Sequence, residues 1–190
     1  MESLLKSRSF SGEECFCRCR LDPDIDVDCR SNTNEGAGWA DYGNDATEAK
    51  VYDFLRGQYA PFTNESFSKA LDLYPVKDFK NPSGQGQQMY GEARYVCSAN
   101  LITGNAKRLG LSSYHYHYNN AHLGSNHGSE NGAFFGPPAT ANAEDTALFE
   151  DMRKFWTSFV TTGNPVVGDE NGLKWEVCSL IRVRVSLVDK

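Results

Sequence analysis

Apolar positions recur at helical spacing along much of the chain. From about Asp45 to Tyr59, the residues Ala49, Tyr52, Leu55 and Tyr59 fall three or four apart, the stripe of an amphipathic helix that Pro61 ends. A second short helix is predicted from Thr63 to Tyr74. Thr63 is its N-cap, Phe67, Ala70, Leu71 and Tyr74 form one face, and Pro75 closes it. A Gly/Pro/Ser/Gln loop at Asn81–Gln88 precedes a longer helix from Gln88 to Leu109. Tyr90, Ala93, Val96, Cys97, Leu101 and Ile102 supply its buried side, and Gly104 weakens it near its end. Between Leu111 and Tyr118 the period changes. Tyr114, Tyr116 and Tyr118 alternate with Ser113, His115 and His117, as in a strand. A Gly/Asn/Ser-rich loop runs from Asn119 to Gly132. A last helix spans about Glu144 to Thr162, with Ala147, Leu148, Met152, Phe155, Trp156 and Phe159 as a broad apolar face. Gly163 supplies its stop and Pro165 blocks continuation.

The two ends break this pattern. Residues 1–30 combine a cysteine cluster with the acidic stretch Asp22 to Asp28, and only Ile25, Val27 and Cys29 alternate as a short strand would. They are expected to be a divergent, disordered tail. Residues 176–190 form a second divergent tail, in which Leu180 to Val188 alternates polar and apolar positions without settling on a structure. No internal repeat is present.

Composition narrows the class. The chain has 190 residues, 39% hydrophobic and 23% charged, which is ordinary for one globular domain. A net charge of −6 argues against a nucleic-acid partner, which needs a basic face. No apolar run reaches the roughly 18 residues of a membrane span. The start, Met1 to Phe10, has no apolar core of a signal peptide, so the default expectation is cytoplasmic. Four of the six cysteines (Cys15, Cys17, Cys19, Cys29) crowd into the first 29 residues, at a spacing that matches no familiar zinc pattern. No metal and no cofactor is expected.

Three stretches carry candidate chemistry. The first is Ser31-Asn32-Thr33-Asn34-Glu35-Gly36-Ala37-Gly38. The second is Ala121-His122-Leu123-Gly124-Ser125-Asn126-His127-Gly128-Ser129-Glu130. The third runs from Phe155-Trp156 through Phe159 to Gly163-Asn164-Pro165. In order and content they resemble the type-B carboxylesterase/lipase family, which includes cholinesterases and fungal lipases. There an N-x-x-E-G turn holds a triad acid, an H-G-x-E or H-G-x-D loop holds the base, and a helix ends in W-x-x-F-x-x-x-G-x-P. The match covers roughly residues 31 to 175. It implies an α/β fold: the helix-rich C-terminal part of an α/β-hydrolase, with one or two strands of its sheet. It also implies Glu35 and His127 as catalytic acid and base, acting on a small ester or lipid substrate. Cys97 resembles a position that is sometimes disulfide-linked in the family, and pairing with Cys178 is one option for it.

The chemistry fits those roles. A serine hydrolase needs an imidazole to take the hydroxyl proton and a carboxylate to fix the imidazole's tautomer. Glu35 and His127 lie 92 residues apart, so only a tertiary fold brings them together. Gly36 and Gly128 are expected to let each loop turn tightly and admit substrate close to the backbone. The order Glu then His also fits an α/β-hydrolase, where the serine comes first. No G-x-S-x-G elbow occurs in these residues: Gly124-Ser125-Asn126-His127-Gly128 has its Ser out of register. The Gly-rich oxyanion segment of the family is also missing. The chain is therefore expected to be inactive alone, as a truncated or mis-joined gene product would be.

Other readings remain open on the residues themselves. A non-catalytic binding protein on the same scaffold is the first alternative. His115 and His117 on one strand face, with His122 nearby, form a weaker candidate for metal binding than for a hydrogen-bonded face. The strand before the acid would carry Asp26, Asp28 and Arg30, costly in a parallel strand buried on both faces. A poorly placed Glu35 is one expected consequence. Bare apolar faces on the helix at Leu148–Phe159 and on the long central helix, with open strand edges, predict dependence on a partner chain.

Overall fold

A computed structural model describes residues 27–165 and Trp175. The alternating tail at Leu180–Val188, Cys178, and the N-terminal cysteines Cys15, Cys17 and Cys19 lie outside the described residues. Strand β1 (Val27–Asn32) and strand β2 (Ser113–Tyr118) pair in parallel, with Arg30 opposite Tyr116 and Asn32 opposite Tyr118. Their connection is helical: α1 (Glu48–Gln58), α2 (Asn64–Leu73), α3 (Pro82–Gly91), a π-helical turn (Glu92–Val96) and α4 (Cys97–Arg108). After β2 come a one-turn helix α5 (Gly132–Phe135) and the long α6 (Ala143–Thr162). A parallel pair needs a crossover of this kind, because its strands cannot be joined by a tight turn.

The caps explain most of the helix boundaries. Thr47 and Thr63 accept from the backbone N–H groups of Lys50 and Ser66, starting α1 and α2. Asn142 and Asp145 form a reciprocal capping box at the start of α6, and Gly163 ends it at φ 71°. The segment expected to be a loop at Asn81–Gln88 is instead the first two turns of α3. Asn81 is its N-cap, accepting from Gly84 N–H at 3.0 Å, and Pro82 stands in the first turn, where its missing N–H costs nothing. Glycines at positions 84 and 86 read as loop formers. Gly86 lets α3 pack closely on α1, since a Cβ there would meet the Val51 and Ala40 side chains at 3.0–3.2 Å.

The expected long helix is thus α3 and α4 joined through a π-turn. That turn rotates the downstream face, so Ala99, Thr103, Asn105 and Ala106 are the buried residues of α4, while Ala93 is exposed. Strand β1 begins at Val27 and so takes in residues assigned from sequence to a tail. Its Arg30 is tolerated because the side chain stays 45% exposed and pairs with Glu130 at 2.8 Å.

Two apolar clusters hold the chain. Tyr114, Tyr116 and Tyr118 of β2 pack with Ala133, Phe149, Met152, Phe155 and Trp175. The alternation of β2 therefore does what its period implies, and the apolar face of α6 is covered rather than bare. Val51 and Leu55 of α1, with Tyr74, Met89 and Tyr90, form the second cluster under α2 and α3. Each strand keeps one edge without a strand partner among the described residues. No described helix is long and apolar enough to cross a membrane.

Candidate active site

The acid turn is fixed by hydrogen bonds to the strand and loop beside it. Where β1 ends, Thr33 N–H donates to the Tyr118 carbonyl at 3.1 Å and Asn34 N–H to the Ser125 carbonyl at 2.9 Å. Asn34 and Asn126 form a parallel bridge, so acid turn and base loop continue the strand pairing. Two successive turns, Ala37 N–H to Asn34 carbonyl and Trp39 N–H to Gly36 carbonyl, then coil the chain around Glu35. Glu35 is 6% exposed, and its Oε1 accepts the Asn32 N–H at 2.7 Å.

The base loop is held from the other side. Asn120 Oδ1 accepts from the N–H groups of His122 and Leu123, and Asn120 Nδ2 donates to Asp145 at 2.7 Å. His122 Nδ1 lies 2.7 Å from the second oxygen of Asp145. Burial raises the Asp145 pKa, but donation from Asn120, Asn142 N–H and His122 outweighs it and holds the carboxyl below its ordinary range. At the far end of the loop Gly128 sits at φ 79°, a conformation that favours glycine. Beyond it the buried Glu130 accepts from Asn32 Nδ2 at 2.6 Å, while Asn32 also donates to the Asn126 carbonyl at 2.8 Å.

These constraints bring His127 Nδ1 to 2.6 Å from Glu35 Oε2. A carboxylate only accepts, so Nδ1 carries a proton, and in the neutral imidazole Nε2 keeps its lone pair. The His127 side chain is 41% exposed, and among the described residues Nε2 has no hydrogen-bond partner. Asp26 lies outside the described residues, and the Arg30 that threatened the strand is neutralised by Glu130. Glu35 thus lies within hydrogen-bonding distance of His127 although Arg30 stands in the strand before it.

Gly36 has a different task from the one expected. A Cβ there would lie 1.7 Å from the Gln87 carbonyl oxygen, so the glycine lets the acid turn press against α3. The space left between them, beside Glu35 and Glu92, is about 10 Å³, room for one water at most. A broad groove of about 560 Å³ on α6, lined by Glu150, Arg153 and Lys154 among others, shares no residue with the Glu35–His127 pair.

The sequence did not single out four residues that shape this site. Asn32 and Glu130 stand inside the quoted motifs, so the signal was there; Trp39 and Tyr95 carried none. Their rings flank His127, Tyr95 at a centroid distance of 4.4 Å and Trp39 edge-on at 5.5 Å. His115 and His117 do not converge on a metal position. Ser31 Oγ lies between them, 3.1 Å from His115 Nε2 and 3.2 Å from His117 Nδ1. No group of three His, Cys, Asp or Glu side chains among the described residues is arranged to hold a metal ion.

A parallel strand pair whose C-terminal ends carry a carboxylate on one turn and an imidazole on the next is an α/β-hydrolase arrangement. Residues 25–183 match the model of the carboxylesterase family, and the chain belongs to that family. The crystal structure of Aspergillus niger EstA has the same fold over this region, with a TM-score of 0.63 at 22% sequence identity. The likeness covers 80% of this chain and 33% of that one, so the chain spans about a third of that protein's length. No curated protein matches the chain in sequence.

Proposed function

We propose that this chain supplies the acid and base of a Ser-Glu-His triad for carboxylic-ester hydrolysis. Glu35 orients the imidazole; His127 Nε2 takes the proton of a serine hydroxyl and returns it to the leaving alcohol. The single observation that carries the reading is the 2.6 Å contact from His127 Nδ1 to buried Glu35 Oε2, with Nε2 left without a partner among the described residues. The family match supports an ester substrate. On this reading the serine and the oxyanion donors are supplied by other polypeptide, because these 190 residues hold no G-x-S-x-G elbow and no Gly-rich oxyanion segment. Alignment with only a third of EstA supports that division.

The test uses p-nitrophenyl butyrate. The chain alone is expected to show neither turnover nor a stoichiometric acylation burst. A polypeptide from the same gene that also encodes a G-x-S-x-G elbow is expected to hydrolyse the ester, and H127Q in it to lower kcat about 10⁴-fold or more. A burst from the chain alone, or H127Q with unchanged kcat, would overturn the reading.

A further inference from the structure

The Glu35 hydrogen bond holds only one atom of the His127 ring. An imidazole that is 41% exposed and tethered at Nδ1 alone can still swing about that bond and about its own side-chain torsions. Productive proton transfer needs Nε2 held in a narrow range of directions. Something must hold the ring plane.

Tyr95 meets that requirement. Its ring lies over the imidazole at a centroid distance of 4.4 Å and an interplanar angle of 33°. Trp39, which also meets the imidazole, touches Tyr95 at 6.0 Å. Tyr90 supports Tyr95 edge-on at 6.2 Å and is itself buried in the cluster of α1 and α3, against Phe54 at 5.2 Å. An unbroken aromatic chain therefore runs from the second core to the exposed base. Offset and edge contacts of this kind are favoured by the ring quadrupoles beyond the area they bury.

Tyr95 reaches this place because of the π-turn. Gly91, the last residue of α3, is in backbone contact with the acid turn at Gly36. The wider turn begins at the next residue and ends one residue after Tyr95. One extra residue in a helical turn rotates everything downstream, and such bulges are concentrated where a side chain must be re-aimed.

We propose that Tyr95, carried on the π-helical turn Glu92–Val96, is a positioning residue for His127, holding the imidazole plane so that Nδ1 stays on Glu35 and Nε2 stays turned outward. The catalytic meaning of that role rests on the triad reading above; the positioning itself does not.

The experiment uses the chain as it exists and follows the His127 ring by NMR, assigned by comparison with H127Q. In the parent, the face of Tyr95 displaces the His127 carbon-bound ring protons upfield, and the Nδ1 proton on Glu35 gives a low-field resonance. Y95F keeps the ring and is expected to keep both signals. Y95M fills similar volume without a ring. It is expected to lose the displacement and to exchange the Nδ1 proton with water about tenfold faster, as a less confined ring would. Methyl signals from Leu55 and Met89 report whether the second core stays folded; if Y95M fails that control, Y95L is compared in its place. An Nδ1 proton exchanging at the parental rate in a folded ringless variant would overturn the proposal. In a serine-bearing polypeptide, Y95M is expected to lower kcat about 10- to 100-fold with KM within about twofold, and Y95F to restore it. Should H127Q there leave kcat unchanged, the triad reading falls while the NMR result still decides whether Tyr95 positions the ring.

Discussion

Gly36 and Gly91 meet backbone to backbone: a Cβ on Gly91 would lie 2.5 Å from Gly36 N, and one on Gly36 would lie 1.7 Å from the Gln87 carbonyl oxygen. Neither neighbour is a flexible side chain that can move aside. The acid turn is therefore located by direct contact with α3, and the position of Glu35 depends on two absent side chains.

The first prediction follows from that contact. G36A and G91A should each destabilise the fold by about 3 kcal/mol or more, the range reserved for backbone clashes and severe overpacking. G104A is the control. It lies within α4, has no atom within 4 Å of the added Cβ and no left-handed backbone. It should stabilise by about 0.5–1 kcal/mol through helix propensity and a stiffer unfolded chain. Urea denaturation of the three variants checks the signs. A G91A protein as stable as the parent would refute the packing account.

Much of this architecture was legible in the sequence, for identifiable reasons. Caps at Thr63 and Gly163 and the alternation at Tyr114–Tyr118 are local signals, and the corresponding elements formed where they pointed. Glu35 and His127 were found by motif and are brought to hydrogen-bonding distance by the strand pairing. The start of α3 was missed because Pro82, Gly84 and Gly86 carry loop propensities. Here one serves as a helix start and another as a close contact with α1, which only tertiary structure reveals. The π-turn has no local signature at all, and with it Tyr95 was hidden. Arg30 looked unfavourable in strand β1 because its partner sits 100 residues away, at Glu130.

Glu130 supports the second prediction. It is 2% exposed and joins Arg30 at 2.8 Å to Asn32 at 2.6 Å, tying the base loop to the strand that ends in the acid turn. E130A strands one N–H of the buried Asn32 amide, whose other bond to the Asn126 carbonyl remains, and removes the Arg30 partner. A cost of about 1–3 kcal/mol is expected, set by the unsatisfied amide rather than by the half-exposed guanidinium. E130Q keeps an acceptor for Asn32 and should cost less. Equal losses for the two would mean that the charge pair, not the hydrogen bond, holds the loop.

A third prediction concerns acid. Burial, reinforced by the charge of His117, lowers the His115 pKa from 6.5 to about 4. A base whose folded value is depressed binds its proton more readily in the unfolded chain. Its effect is absent above about pH 6.5 and destabilises progressively down to about pH 4, below which it levels off. The limiting loss is roughly 3 kcal/mol at 1.36 kcal/mol per unit. Ser31 Oγ faces both imidazoles, and with a single proton it can donate to only one of them. H115Q should flatten the stability profile between pH 6.5 and 4, and an unchanged slope would assign acid sensitivity elsewhere.

The last prediction separates a helix cap from a loop anchor. Asp145 closes the capping box of α6 and also accepts from Asn120 and His122, so one carboxylate holds both the helix and the base loop. N142A removes only the cap and should cost about 0.5–2 kcal/mol, with His127 undisturbed. D145N weakens the cap, the Asn120 bond and the His122 pair together, so its melting temperature should fall below that of N142A. Because the folded Asp145 pKa is lowered, its contribution is present above the ordinary carboxylate value of 3.8 and fades as pH drops through the folded value. The difference between D145N and the parent should therefore shrink in strong acid. His127 ring signals should move in D145N and stay in N142A; identical spectra for the two variants would show that the base loop does not depend on its anchor at Asp145.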